Sequence, residues 1–547
     1  MIGMFSIVAL IMVIVVAAVT MGIAWWSYKR VRSIQDFYAA GRSVPWILIA
    51  WALTSNYLSA ASFLGVAGGI SNFGLDRVWD PIGYFAGWVL VLVIAAEYIR
   101  KIGKFTVADV LNERYVGSKE LRALAMISTV IISTFYMIPQ MIGAGSLMSL
   151  LLDWPYHVAV VVVGAIVVLV VMMGGIRSTV YSQVFQALVL WFAMLAIFLG
   201  YLAFFGGPSA IIDKAYQVPP PAIAKKLVSQ ELLKSYVPSL DNIKFTEALE
   251  KSLQLAGQII EKNPDVIRLV QPGAFARDIW NQLSLALGII LGTMGLPHIL
   301  IYFYTVPRPE DARKGTVGAI FNIGLFYLFS IFVGFAAGTV LFSLITYWLV
   351  TGYAPWAKNM PVVVSGKILG GEFLMGLAAA GAFAAILSTV GGLMVAATNS
   401  VAYDLYTNII KRGEASEEEQ LLVARIVAII VGAIAIIGGL VLKGFDVSYL
   451  VVLAFGIAAS SFATTLIMTL WWKDFTRQGA LASMLVGLIV AVLFVLLRLG
   501  GAKALGPIPV LVQPALYSVP ASFIAGIVVS KLTSEKGKEG FLEEIHS

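Results

Sequence analysis

The sequence predicts an all-α membrane protein of about thirteen transmembrane helices. Three observations lead there. Of 547 residues, 60% are hydrophobic and 12% charged, where a soluble chain carries roughly 25% charged residues. Thirteen runs are long and apolar enough to cross ~30 Å of hydrocarbon, which takes about 20 helical residues. The lysines and arginines gather in short loops between those runs, mostly on one side, as in oriented membrane helices. That bias accounts for the net charge of +7, so no nucleic-acid partner is implied. The absence of cysteine excludes disulfides and thiolate metal sites. Three histidines, His157, His298 and His546, are too few for most catalytic metal clusters.

In chain order the expected spans are 2–27, 46–71, 79–99, 121–151, 156–175, 182–205, 280–304, 317–351, 373–400, 421–443, 447–471, 478–499 and 513–533. The first run is kept as a span because its basic residues, Lys29, Arg30 and Arg32, follow it. A cleaved leader has them in front of a shorter apolar stretch. Loops and adjoining turns after odd-numbered spans, with the C-terminal tail, hold 22 of the 37 basic residues. This puts the N-terminus outside and the C-terminus in the cytoplasm, in the plasma membrane. Residues 206–279 form the one long polar insertion. It opens on Gly206, Gly207, Pro208 and Pro219-Pro220-Pro221 and then turns helix-like from Ile223 to Ile260, which suggests an extracellular cap of short helices. Glu417-Glu418-Glu419 suits a helix start, where acid complements the dipole. Glu97, Asp153 and Asp404 fall near span ends, where solvated structural roles are expected.

The interruptions carry the functional signal. Span 2 reads LTSNYLSAASFLGVAGG from Leu53 to Gly69, with Thr54, Ser55, Asn56, Ser59, Ser62 and Gly65 at membrane depth. Span 7 reads LGIILGTMGLPHIL from Leu287 to Leu300, with Gly292, Gly295 and Pro297 near its middle. Proline removes a donor and disfavours helix at the residue before it. Irregular backbone inside a membrane is tolerated where it lines a cavity or binds something. Two breaks five spans apart suggest two repeats, 46–205 and 280–471, flanked by residues 1–45 and 472–547 and separated by the insertion. Close packing of helices over small residues is the competing explanation.

Span 9 contains AAAGAFAAILSTVGGLMVAATNS, from Ala378 to Ser400, with adjacent hydroxyls at Ser388 and Thr389. Each can bond back to a carbonyl one turn earlier. Alternatively, carbonyls freed by the break in span 2 and these two hydroxyls form an all-oxygen cation site, which suits sodium.

DFYAAGR (Asp36 to Arg42), SNYLSAASFLG, AILSTVGGL and GLPHIL, followed by Thr305 to Lys314, resemble the sodium:solute symporter family, closest to its acetate and monocarboxylate permease branch. The resemblance covers about residues 30–475. It implies a leucine-transporter-like five-plus-five inverted repeat with broken helices in spans 2 and 7. It also implies inward movement of a small solute with Na+ and no enzymatic activity. By the same resemblance, backbone carbonyls of Ser55, Leu58 and Ala385 join the hydroxyls of Ser388 and Thr389 around sodium. The implied solute site holds Tyr136 and Gln140 in span 4, Ser62 in span 2, and Thr293, Met294 and Gly295 at the break in span 7. A free N–H near Gly295 would receive a carboxylate.

Sugar-binding members have a Glu-Gln pair where this chain has Ala61-Ser62, which argues against a polyol. Members with a second sodium have an acid where this chain has Gln183, so one sodium is expected. Acetate-type members often have arginine after GLPHIL, where this chain has Ile301-Tyr302. His298 is either a proton or substrate contact or a neutral, hydrogen-bonded residue steadying the break. A sodium/proline-type symporter is the alternative, and a membrane sensor is the weaker one, since only about 14 residues follow the last span. The expected partners are a small-molecule solute, sodium ion and the bilayer, with no obligate protein partner evident.

Overall fold

A computed structural model describes residues 6–30, 33–172, 175–237, 244–275, 278–352 and 358–546. Eleven helices in it are long and apolar enough to span a membrane, and Trp46–Tyr57 with Ala61–Arg77 makes one more span, bent by 64°. A shorter apolar helix, Tyr156–Met172 of 17 residues, lies at the lower end of spanning length where the fifth of about thirteen spans is expected. Taken with their breaks, the spans are Ile7–Tyr28 (span 1), Trp46–Arg77 (span 2), Trp79–Ile102 (span 3), Lys119–Leu152 (span 4), Tyr156–Met172 (span 5) and Gly175–Phe205 (span 6). Span 7 is Ile279–Thr305, span 8 Pro309–Val340, span 9 Pro361–Ile410, span 10 Glu417–Val441, span 11 Val447–Trp471, span 12 Arg477–Leu499 and span 13 Ala515–Leu532.

Helix starts follow local chemistry. Ser416 accepts from the Glu419 N–H while Glu419 accepts from that of Ser416, a reciprocal cap that gives the Glu417-Glu418-Glu419 run its helix-start role. Asp446 and Asp278 cap spans 11 and 7 by accepting from the Tyr449 and Asn281 N–H groups. Span 11 is 94% buried along its apolar window and sits at the centre; spans 1 and 10, at 28%, present isoleucines such as Ile11 and Ile429 outward, as lipid-facing helices do.

Two boundaries differ from expectation. Span 8, expected over 317–351, starts at Pro309 and ends at Val340; the chain turns at Leu341 into a separate helix, Phe342–Thr351. That helix lies against Phe245–Lys262 of the insertion, where Ser252 Oγ donates to the Val340 carbonyl and accepts from the Ser343 N–H. Span 9, expected over 373–400, begins at Pro361, kinks at Gly370 and Gly371 (φ +61°) and runs on through a wider helical turn, Ser400–Ile410. The insertion also carries the helices Pro208–Ala215, Pro221–Ala224 and Gln230–Lys234. A small unforeseen hairpin pairs Ala504–Leu505 with Ile508–Pro509 before span 13.

Candidate functional site

The break in span 2 leaves a defined set of backbone groups to be satisfied. At Leu58 the backbone leaves the helix (ψ 77°). The Ser59 N–H turns to the Tyr57 carbonyl, and the Ala60 N–H goes to Oε1 of Gln140 in span 4. The carbonyls of Ser55 and Asn56 thereby lose their usual donors four residues on. Span 9 supplies replacements: Ser388 Oγ donates to the Ser55 carbonyl at 2.7 Å and Thr389 Oγ1 to that of Asn56 at 3.0 Å. Ser388 Oγ also lies 3.0 Å from the Ala385 carbonyl. Among the described residues no hydrogen bond ends on the Leu58 carbonyl. Of the five residues expected around sodium, Ser55, Ala385 and Ser388 are joined by hydrogen bonds at the joint between spans 2 and 9, and Thr389 bonds the Asn56 carbonyl next to Ser55, with oxygen as the only acceptor type.

Gln183 closes this joint from span 6. Its Nε2 donates to the Ser388 carbonyl at 2.8 Å and its Oε1 accepts from Tyr302 at 2.6 Å. Both ends of the amide are engaged, the oxygen by the Tyr302 hydroxyl from the segment after the span 7 break.

Span 7 breaks where its sequence indicates. The helix ends at Met294, Leu296 is extended (ψ 111°), and Pro297 opens a four-residue turn. The Gly295 N–H itself donates to the carbonyls of Leu291 and Gly292. Gly295 is pressed so closely on span 11 that a Cβ there would stand 2.3 Å from the Ala458 carbonyl oxygen. Just beyond it, at the start of the next half-helix, the N–H groups of Leu296 and His298 make no backbone hydrogen bond among the described residues. Asn56 joins the two breaks by donating from Nδ2 to the His298 carbonyl at 2.8 Å.

The expected solute residues surround a cluster of buried rings. Tyr136 lies edge-on to Phe455 (5.6 Å between centroids) and to His298 (5.3 Å), and Tyr57 lies edge-on to Trp88 (5.2 Å) and Phe455 (6.1 Å). Thr293 Oγ1 bonds the Tyr57 hydroxyl at 2.8 Å, and Ser62 Oγ bonds that of Tyr327 at 2.8 Å. Tyr136 donates weakly to Ser59 at 3.4 Å. Met294 is buried beside Thr293. Gln140, expected to face the solute, spends its carbonyl oxygen on the span 2 break.

Two charged clusters not foreseen in the sequence complete the picture. On one face, Arg77 pairs with Asp80 (2.8 Å) and Asp446 (3.3 Å), tying the turn between spans 2 and 3 to the start of span 11. On the opposite face, Arg122 of span 4 pairs with Asp404 of span 9 (2.6 Å) and with Asp109 (3.0 Å). Asp404 also accepts from Thr106 and Ser400. The expected solvated role for Asp404 is therefore overturned, since it is fully buried: the wide turn of span 9 carries it inward against Arg122. The ring cluster gave no local signal, because each aromatic reads as an ordinary core residue until five spans are brought together.

This is the geometry of a broken-helix membrane transporter, and comparison with known proteins agrees. The model of the sodium:solute symporter family matches residues 37–487, and the chain belongs to that family. It is 34% identical over 536 residues to the uncharacterized symporter YwcA of Bacillus subtilis (strain 168), covering 96% of this chain and 95% of that one. Its fold is similar to that of a Na+-coupled sialic acid symporter in a substrate-bound outward-open state (TM-score 0.67, 15% identity, 98% and 100% of the two chains). It is also similar to Mhp1, a nucleobase-cation-symport-1 family transporter, in a closed conformation (TM-score 0.52, 13% identity, 94% and 99%). The leucine-transporter-like fold expected from the sequence is the fold of this protein.

Proposed function

We propose that this protein imports a short-chain monocarboxylate such as acetate together with one sodium ion across the cell membrane. The observation that carries the reading is the joint of spans 2 and 9, where carbonyls stripped of their helical donors meet two hydroxyls. In the ion-bound form the carbonyls of Ser55, Leu58 and Ala385 and the oxygens of Ser388 and Thr389 hold sodium. A hydroxyl has lone pairs as well as a proton, so Ser388 and Thr389 turn from donors into ligands when the ion enters. Gln183 supports a single ion: its amide is occupied at both ends and brings no negative charge.

The solute binds beside the ion among Tyr136, Ser62, Thr293 and Met294, with Gln140 and Gly295 shaping the two breaks. Repeats 46–205 and 280–471 then rock about this centre. The Arg77–Asp80–Asp446 cluster holds the outer face closed and the Arg122–Asp109–Asp404 cluster the cytoplasmic face, each opening in turn, with the N-terminus outside.

A tenfold sodium gradient supplies about 1.4 kcal/mol per ion, and the membrane potential ~2.3 kcal/mol per net charge per 100 mV. One sodium with one monocarboxylate carries no net charge, so the potential adds nothing. Uptake of labelled acetate, pyruvate, lactate and proline into vesicles, with and without a sodium gradient and at imposed potentials, tests the reading. The expected result is sodium-driven, potential-independent accumulation of a monocarboxylate. Current-carrying uptake of proline alone would replace it with a proline-type symporter.

A further inference from the structure

The imidazole of His298 has neither ring nitrogen hydrogen-bonded, although the residue is fully buried. Buried polar atoms of native proteins nearly all find partners, and each exception calls for a cause. The sequence-level expectation of a hydrogen-bonded ring steadying the break therefore does not hold. It is the backbone of His298 that steadies the break, through its carbonyl on Asn56. That bond fixes the residue beside the ion joint and leaves the ring edge-on to Tyr136. Across the same ring cluster the indole Nε1 of Trp88 is buried and unpartnered as well, and an indole N–H can only donate. The indole N–H and the one N–H of a neutral imidazole thus both lack an acceptor. The buried guanidinium groups of Arg77 and Arg122 pair with carboxylates at the two ends of the molecule, Arg77 through Nη2 alone.

We propose that His298 is a solute-binding residue whose ring N–H donates to the carboxylate of the transported solute. The proposal rests on the reading of this ring cluster as the solute site, and it assigns recognition of the acid to an uncharged donor rather than to an arginine.

His298→Phe keeps an aromatic ring against Tyr136 and removes both nitrogens. Replacing a polar group that has no protein partner by an apolar one of similar shape is neutral or stabilising. Purified, sodium- and solute-free His298→Phe protein is therefore expected to melt at or above the wild-type temperature. Its half-saturating acetate concentration is expected to rise about tenfold, the effect of one lost hydrogen bond, with sodium half-saturation nearly unchanged. His298→Gln, which restores an N–H donor, is expected to recover most of the loss. Wild-type acetate uptake by His298→Phe overturns the proposal, as does a lowered melting temperature in the ligand-free His298→Phe protein. If wild-type protein takes up proline and not acetate, the monocarboxylate reading fails. The comparison is then made on proline, whose carboxylate is the same acceptor, and unaltered proline uptake by His298→Phe overturns the proposal.

Discussion

Replacing Gly392 by alanine forces a methyl into the joint of spans 2 and 9. A Cβ at that position stands 2.0 Å from Asn56 Oδ1 and 2.7 Å from its Cγ, far inside van der Waals contact. The Asn56 amide has to move, and with it goes the bond from Nδ2 to the His298 carbonyl that couples the two breaks. Overpacking costs about 1–3 kcal/mol and stranding the buried His298 carbonyl about another 1–3 kcal/mol, or roughly 2–6 kcal/mol together. The penalty falls on the arrangement that holds ion and solute sites together. At ~1.4 kcal/mol per factor of ten, even the lower figure reduces its population about thirtyfold. Sodium-driven uptake at sub-saturating solute is the assay, with Gly22→Ala as the control, because a methyl there meets nothing within 4 Å. Gly392→Ala is expected to lose at least about thirtyfold in uptake while Gly22→Ala matches wild type. A Gly392→Ala protein with wild-type sodium and solute half-saturation would refute this coupling.

Three other outcomes follow from the same geometry. Gln140→Leu leaves the Ala60 N–H without its acceptor; it should lower stability by about 1–3 kcal/mol, read as a lower melting temperature of purified protein. Asp404→Asn weakens the pairing with Arg122 and should favour the inward-open state. The chain has no cysteine, so a reporter at the buried Ala402, Ala402→Cys, should react faster with a water-soluble maleimide in that background; equal rates would remove the cluster from the gating scheme. Sodium dependence of uptake should show a Hill coefficient of about one, and clear sigmoidicity would contradict the single-ion reading of Gln183.

Much of the fold was legible in the sequence because its signals are local. Apolar length marks the spans, a run of small and polar residues marks the break at Leu58, and Pro297 disfavours helix at Leu296. The hydroxyl pair at Ser388 and Thr389 was legible for the same reason. Of their partners, Ser388 meets the carbonyls of Ser55 and Ala385, both expected in the sodium site, whereas Thr389 reaches Asn56, 333 positions away and outside it. Arg122 and Asp404 lie 282 positions apart, and nothing in either segment announces a buried pair. At span 7 the sequence shows a break but not that the Gly295 N–H turns back to Leu291 and Gly292 while that of Leu296 makes no backbone bond. His298 misled: a buried histidine ordinarily bonds through its ring, whereas here the backbone carbonyl takes the bond.

Sodium titration of solute uptake by the Ser388→Ala/Thr389→Ala protein tests the joint of spans 2 and 9 most directly. An oxygen ligand to a charged group is worth about 1.5–3 kcal/mol, so loss of even one should raise half-saturating sodium about ten- to hundredfold, in protein that still folds. Unchanged sodium dependence in that protein would contradict the account.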